Sequence, residues 1–258
     1  MNRLAGIVVV LLAFATPCWG QFSTVYNIPP DIPPLFIDSD DTQVNLFEGG
    51  SLGESITLGS NLETSANIEM NMYGGTLPRF NSFPGTTFNM FGGTTTSTFF
   101  SFSSKINIHD GMVGDGNFSD TFIIHFGTAN IYGGRIRADM FVEEAVLNLY
   151  GGSLEGRFTG YQRAQVNLFV KSFFIKGEQV TDLLPGVRKD YGLLGRQMSG
   201  TLSDGSPFDF LNAEGHTSVT LVPEPSTVLL IALVGPVLLG YTNRRASHSR
   251  RHSHRGSA

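Results

Sequence analysis

The side chains best suited to chemistry lie between positions 109 and 125: His109, Asp110, Asp115, Asp120 and His125. Carboxylates grouped on one face can bind calcium or move a proton at a sugar oxygen. The run Asp115-Gly116-Asn117-Phe118-Ser119-Asp120 begins like a calcium loop, but Phe126 stands where the terminal Glu belongs. Gly, Asp, Asn and Ser are equally what a turn requires, and a turn is the expectation here. Asn117-Phe118-Ser119 is formally a glycosylation triplet. His248, His252 and His254 are metal-ligand types, but they alternate with Ser and Arg in a tail without a scaffold, so a solvated tail is expected. The single cysteine, Cys18, excludes a disulfide framework and a cysteine-rich zinc site. The sequence contains no Gly-rich phosphate loop. The expectation is no catalytic residue, no metal and no cofactor.

A second constellation is periodic. Phe47, Tyr73, Phe91, His109, Tyr132, Tyr150 and Phe169 each stand two residues after an asparagine, usually just before Gly-Gly. The unit reads VNLFEGG, MNMYGG, FNMFGG, INIHDG, ANIYGG, LNLYGG and VNLFVKS. Its asparagines are Asn45, Asn71, Asn89, Asn107, Asn130, Asn148 and Asn167, at spacings of 26, 18, 18, 23, 18 and 19. A recurring interval of 18, twice lengthened, marks stacked repeats with loop insertions. Stacked aromatics can hold flat sugar faces, which makes Tyr73, Tyr132 and Tyr150 candidate glycan contacts. They can also simply pack on one another, and a stacking ladder is the favoured reading.

The elements that must position these residues follow from the local pattern. Apolar and other residues alternate through each unit, the period of a β-strand, and Gly-Gly permits a sharp bend. Eighteen residues accommodate about three short strands and three turns. Thr94 to Ser104 is rich in Thr and Phe, which favours strands over helix. The expected fold is all-β: a parallel β-solenoid of about seven coils over 42–177, with the asparagines in a hydrogen-bonded ladder and their apolar neighbours in the core. An antiparallel β-sandwich is the alternative. Residues 21–41, with Pro29-Pro30 and Pro33-Pro34, read as an extended leader, and 178–221 as a β-rich cap.

Both ends read as addresses. Arg3 and the apolar run Leu4 to Ala15 form a secretory signal peptide over 1–20, with cleavage after Gly20 or near Ala13-Phe14-Ala15. Residues 222–258 combine Val222-Pro223-Glu224-Pro225-Ser226, the uncharged stretch Val228 to Tyr241, and Arg244-Arg245 leading a tail with five arginines. The stretch is a marginal membrane span with a cytoplasmic basic flank. This order resembles the PEP-CTERM sorting signal of Gram-negative bacteria. The resemblance covers about the last thirty-five residues, and the tail here is longer than the pattern. It implies recognition by exosortase, a membrane-embedded cysteine protease, through Pro223, Glu224 and Pro225. It also implies transient inner-membrane anchoring, then release to the cell surface or outside, in an exopolysaccharide-producing setting. Across 21–221 the body carries 11 basic and 21 acidic residues, a net of −10, which does not suggest a nucleic-acid partner.

The leading functional expectation is a non-catalytic exported envelope or matrix protein, structural or adhesive and linked to exopolysaccharide. The competing one is a β-helix polysaccharide lyase or hydrolase built on Asp110 and Asp115, against which the acidic body weighs, since it would repel a uronate polymer. The solenoid architecture itself resembles β-helices of surface-exposed and carbohydrate-acting bacterial proteins, but architecture does not fix function.

Overall fold

The computed structural model of the chain describes residues 22–61, 65–117, 119–181, 187, 189–192, 197–210 and 218–223. The expected signal peptide and the sorting tail from Glu224 onward lie outside the described residues. Every described element is a β-strand, and the strands form three sheets of 13, five and seven strands. The chain visits them in rotation. Ile68–Met72 lies in the first sheet, Thr76–Leu77 in the second and Arg79–Ser82 in the third. Thr86–Met90 then returns to the first sheet, parallel to Ile68–Met72, with Asn71 beside Asn89. This order is compatible with a β-solenoid and excludes an antiparallel sandwich, since antiparallel pairs among the described residues are confined to 165–223.

Alternation explains which side of each strand is buried. Val44, Leu46, Met70, Met72, Phe88, Met90, Ile106 and Ile108 flank the asparagines and point inward, with no exposed surface. The third sheet contributes Phe80 and Phe99, whose rings pack on Phe88 at centroid separations of 4.6 and 5.0 Å, and Phe122, which packs on Phe99 at 4.8 Å. Burying a side chain of this size stabilises the fold by about 1.5–3 kcal/mol.

The corners take special backbone. Gly75, at φ +75°, occupies a left-handed position where a Cβ would collide with the Gly50 carbonyl one coil below. The corner from the third sheet back to the first also passes through left-handed φ, at Asp41 (53°), Asn67 (58°), Ser103 (51°), Phe126 (56°) and Glu144 (45°). The insertions implied by the spacings of 26 and 23 fall between strands, within 47–54 and 59–67 for the first and 114–120 for the second, so the strands stay in register.

Within the expected leader, the described residues 22–41 already pair with the stack. Thr24–Ile28 pairs in parallel with Thr42–Leu46, placing Asn27 beside Asn45, and Phe36–Ile37 pairs with Thr57 and Leu58 in the third sheet. The prolines follow the strand and help guard its open edge. Asn27 N–H donates to Asp31 Oδ2 at 2.7 Å, and Asp31 N–H donates to the Asn27 carbonyl at 2.9 Å. Those groups would otherwise be free to pair with another chain.

At the other end Gln165–Ile175 outruns the stack and pairs antiparallel with Met198–Leu202, which pairs in turn with Pro207–Phe210. Ser218–Pro223 adds a further parallel rung, with Thr220 beside Asn167, and Lys189–Gly192 lies outside it. The last strand therefore continues through Val222 and Pro223, past the expected cap boundary at 221. Asp204 latches this region to the LNLYGG unit: Oδ2 accepts from Gly152 N–H at 2.8 Å, and Oδ1 from Ser206 N–H at 2.8 Å.

Candidate functional site

The most ordered constellation lies on the outer face of the first sheet. Parallel pairing in register sets each asparagine above the last, within reach of a side-chain amide. Asn45 donates from Nδ2 to Asn27 Oδ1 at 2.9 Å, Asn89 to Asn71 at 2.9 Å, and Asn107 to Asn89 at 2.7 Å. Asn130, Asn148 and Asn167 continue at 2.8, 2.8 and 2.7 Å. Asn71 reaches Asn45 at 3.2 Å while donating to Glu69 Oε1 at 2.7 Å. Every amide in the column points the same way along the stack, so successive bonds polarise one another.

The aromatic column runs beside it. Centroid separations from Phe47 through Tyr73, Phe91, His109, Tyr132 and Tyr150 to Phe169 are 5.3, 5.2, 4.8, 4.7, 4.8 and 3.9 Å, with ring planes within 21° of parallel. Tyr73, Tyr132 and Tyr150 each lie between two neighbouring rings, which cover both of their faces. What the column presents outward is ring edges. A sugar laid flat on a ring face has no place at these interior rungs, so the column acts as a stacking ladder.

The acidic constellation does not converge. Asp110 lies in the turn after the first sheet, where its Oδ1 accepts from Gly111 N–H at 2.7 Å, and His109 belongs to the aromatic column. Asp115 and Asp120 shape the corner between the second and third sheets. Asp115 accepts from Asn117 N–H at 2.9 Å and Asn117 Nδ2 at 2.7 Å, while Asp120 Oδ2 accepts from Asp115 N–H at 2.8 Å. Arg137 closes the same corner by donating to the Asp115 carbonyl at 2.7 Å. Burial pushes the Asp120 carboxyl above its ordinary value, the neighbouring Asp115 charge adding to it and the Asp115 and Gly116 N–H groups opposing it. His125 sits on the outer face of the third sheet, 3.7 Å from Glu143 and stacked on Phe126. Asp110, the Asp115–Asp120 corner and His125 thus occupy separate stations around one coil. Among the described residues no group of His, Cys, Asp and Glu could hold a metal ion.

Of the sorting motif, Val222 and Pro223 pair with Phe169 and Val170 in the last strand. Glu224, Pro225 and Ser226 lie outside the described residues. Asn27 heads the amide column, one rung before the first expected unit, and its signal in the sequence is Tyr-Asn-Ile one repeat interval of 18 before Asn45. No protein-family model, curated protein or solved structure matches the chain.

Proposed function

We propose that this chain is an exported, non-catalytic β-solenoid protein of the cell envelope or extracellular matrix, delivered by a sorting signal of the PEP-CTERM type and structural or adhesive in role. The observation that carries this reading is the closed, repetitive body. Its outward amides and aromatic rings are engaged with one another rung by rung, and the acidic residues that could have served a lyase are spent on turns at separate corners. Such a body suits a rod that holds its shape outside the cell. The tag residues Glu224 and Pro225 follow directly on the last strand, so an exosortase acting there would release the whole stack. The signal peptide supplies export, the apolar stretch a transient inner-membrane anchor, and exopolysaccharide is the partner outside.

Intact-mass measurement on protein recovered from its native host tests the reading. The expected species runs from about Gln21 to near Pro225 and fractionates with the surface or medium. A steady-state species that keeps both Met1 and Ala258 would contradict it.

A further inference from the structure

The third sheet carries aromatic residues of a different kind from those of the amide-bearing sheet. Phe102 meets His125 at 88° and Phe126 at 84°, and Phe83 meets Phe100 at 61°, so these rings pack edge to face. Further along the same face, Phe141 and Tyr161 have parallel planes, 1° apart, with centroids separated by 6.5 Å. At that separation neither ring covers the other. Tyr161 is 39% exposed.

These two rings line a cleft of about 610 Å³ at the C-terminal end of the sheet, where the strands Asp139–Glu143 and Phe158–Tyr161 meet the cap strand Pro207–Phe210. That volume falls in the range of small-ligand sites, about 300–1,000 Å³. Its polar wall includes Asp139, Arg157, Thr159 and Asp209. Arg157 is fixed by Asp139, donating to Oδ2 from Nε at 3.0 Å and from Nη2 at 2.7 Å, with its backbone N–H on Oδ1 at 2.8 Å. Its Nη1 group has no partner among the described residues. Among the described residues the Asp209 carboxylate is engaged only by Gln197 Nε2, at 3.4 Å to each oxygen.

We propose that this cleft binds a neutral glycan chain, with Tyr161 and Phe141 as the apolar platform and Asp209, Thr159 and the free edge of Arg157 as hydrogen-bonding partners for sugar hydroxyls. The proposal rests on the exopolysaccharide-linked reading above and moves its contact surface from the amide-bearing sheet to the third. A sugar ring offers an apolar C–H face and a rim of hydroxyls, and aromatic faces beside carboxylate acceptors and a guanidinium donor match both. The charge of the wall selects the class. Among the described lining residues, Asp139 is paired with Arg157 and Glu155 with Arg135 and Arg137, which leaves Asp209 as the carboxylate with no cation beside it, so a polyuronate is disfavoured there and an uncharged polymer is not. The cleft is built to hold rather than cut. Burial would raise the Asp139 carboxyl, but hydrogen bonds and charge from Arg157 outweigh it and hold the group below its usual range, which leaves it without a proton to donate. Glu155 is occupied by Arg135, at 2.7 Å, and Arg137, at 3.5 Å.

Affinity electrophoresis of the full chain in detergent tests this, in gels containing β-glucan, galactomannan or dextran against gels containing alginate or polygalacturonate. At least one neutral polymer should retard the protein and the two uronates should not. Tyr161→Ala should weaken that retardation by about tenfold or more, equivalent to about 1.4 kcal/mol. Arg157→Gln, at a side chain that is 80% exposed, should weaken it without bearing on the core. Tyr132→Ala, on the other sheet, should leave it unchanged. Retardation that survives both cleft variants, or that is lost in Tyr132→Ala instead, overturns the cleft while leaving an adhesive protein standing. Retardation by uronates as strong as by neutral polymers, or none by any neutral polymer, overturns the proposal outright. The export reading is judged separately, by the mass of the native species.

Discussion

Asn107 donates to Asn89 and accepts from Asn130, so removing its amide strips two neighbours at once. Asn107→Leu should lower the unfolding free energy by about 1–3 kcal/mol, the cost of leaving partly buried polar groups unpaired. Asn61, exposed and outside the repeat, should tolerate the same change with little effect in urea denaturation. Equal losses for the two variants would count against the ladder as a source of stability. Asp204 gives a prediction in pH. Burial would raise its carboxyl, but hydrogen bonds from Ser206 and Gly152 and the charge of Lys171 outweigh that and hold it below the ordinary value. A depressed carboxylate contributes stability above its unfolded value of about 3.9, and loses it as the pH falls through the lower folded value. Wild type should therefore lose stability in that acidic window more steeply than Asp204→Asn, measured by melting between pH 2 and 6. Asp120, whose carboxyl is raised, works with the opposite sign and gains as the pH falls through its folded value.

At the scale of the element, strands and corners differ in how much of them is written in the sequence. The amide-bearing strands were legible because one geometry demands one residue type: only a short amide both donates and accepts along a parallel ladder. The aromatic rungs were legible for the same reason, although their edge-on presentation was not, since ring orientation depends on the neighbours' spacing. The left-handed corners demand a backbone shape that many residues adopt at a cost, so Asp41, Asn67, Ser103, Phe126 and Glu144 share a conformation and no signature. The first coil was illegible because Pro29-Pro30 replaces the aromatic-Gly-Gly that marks later units. The cleft was hidden for a further reason: its walls come from strands far apart in the chain. Two predictions follow from these corners and edges. Glu144 is exposed and left-handed, which costs an ordinary residue about 1–2 kcal/mol, so Glu144→Gly should raise the melting temperature despite glycine's added chain entropy. Asp31→Ala releases the Asn27 N–H at the open edge and should promote concentration-dependent association in light scattering, whereas Asp31→Asn, which keeps an acceptor, should not.

Taken as a whole, the described body is a one-dimensional stack, in which each rung contacts its neighbours and the two ends determine whether the series closes. The N-terminal end is guarded by the Asp31 turn. The C-terminal end is covered by two devices, the hairpin Met198–Leu202 with Pro207–Phe210 and the strand Ser218–Pro223. That strand carries Val222 and Pro223, so the last described rung of the body holds the first residues of the proposed sorting motif. Any processing that leaves the body intact must therefore cut after Pro223. A chain ending at Pro223 should keep the wild-type β signature in circular dichroism and a cooperative melt. A chain ending at Thr217, only six residues shorter, loses the partner of both Gln165–Val170 and Lys189–Gly192. It bares a strand edge flanked inward by Val166, Leu168 and Val170, each no more than 1% exposed in the intact body. Such an edge is a template for pairing with other chains, so the shorter protein should melt lower and aggregate on concentration. If both truncations behaved alike, the final strand would be dispensable, and the body would end before the motif instead of within it.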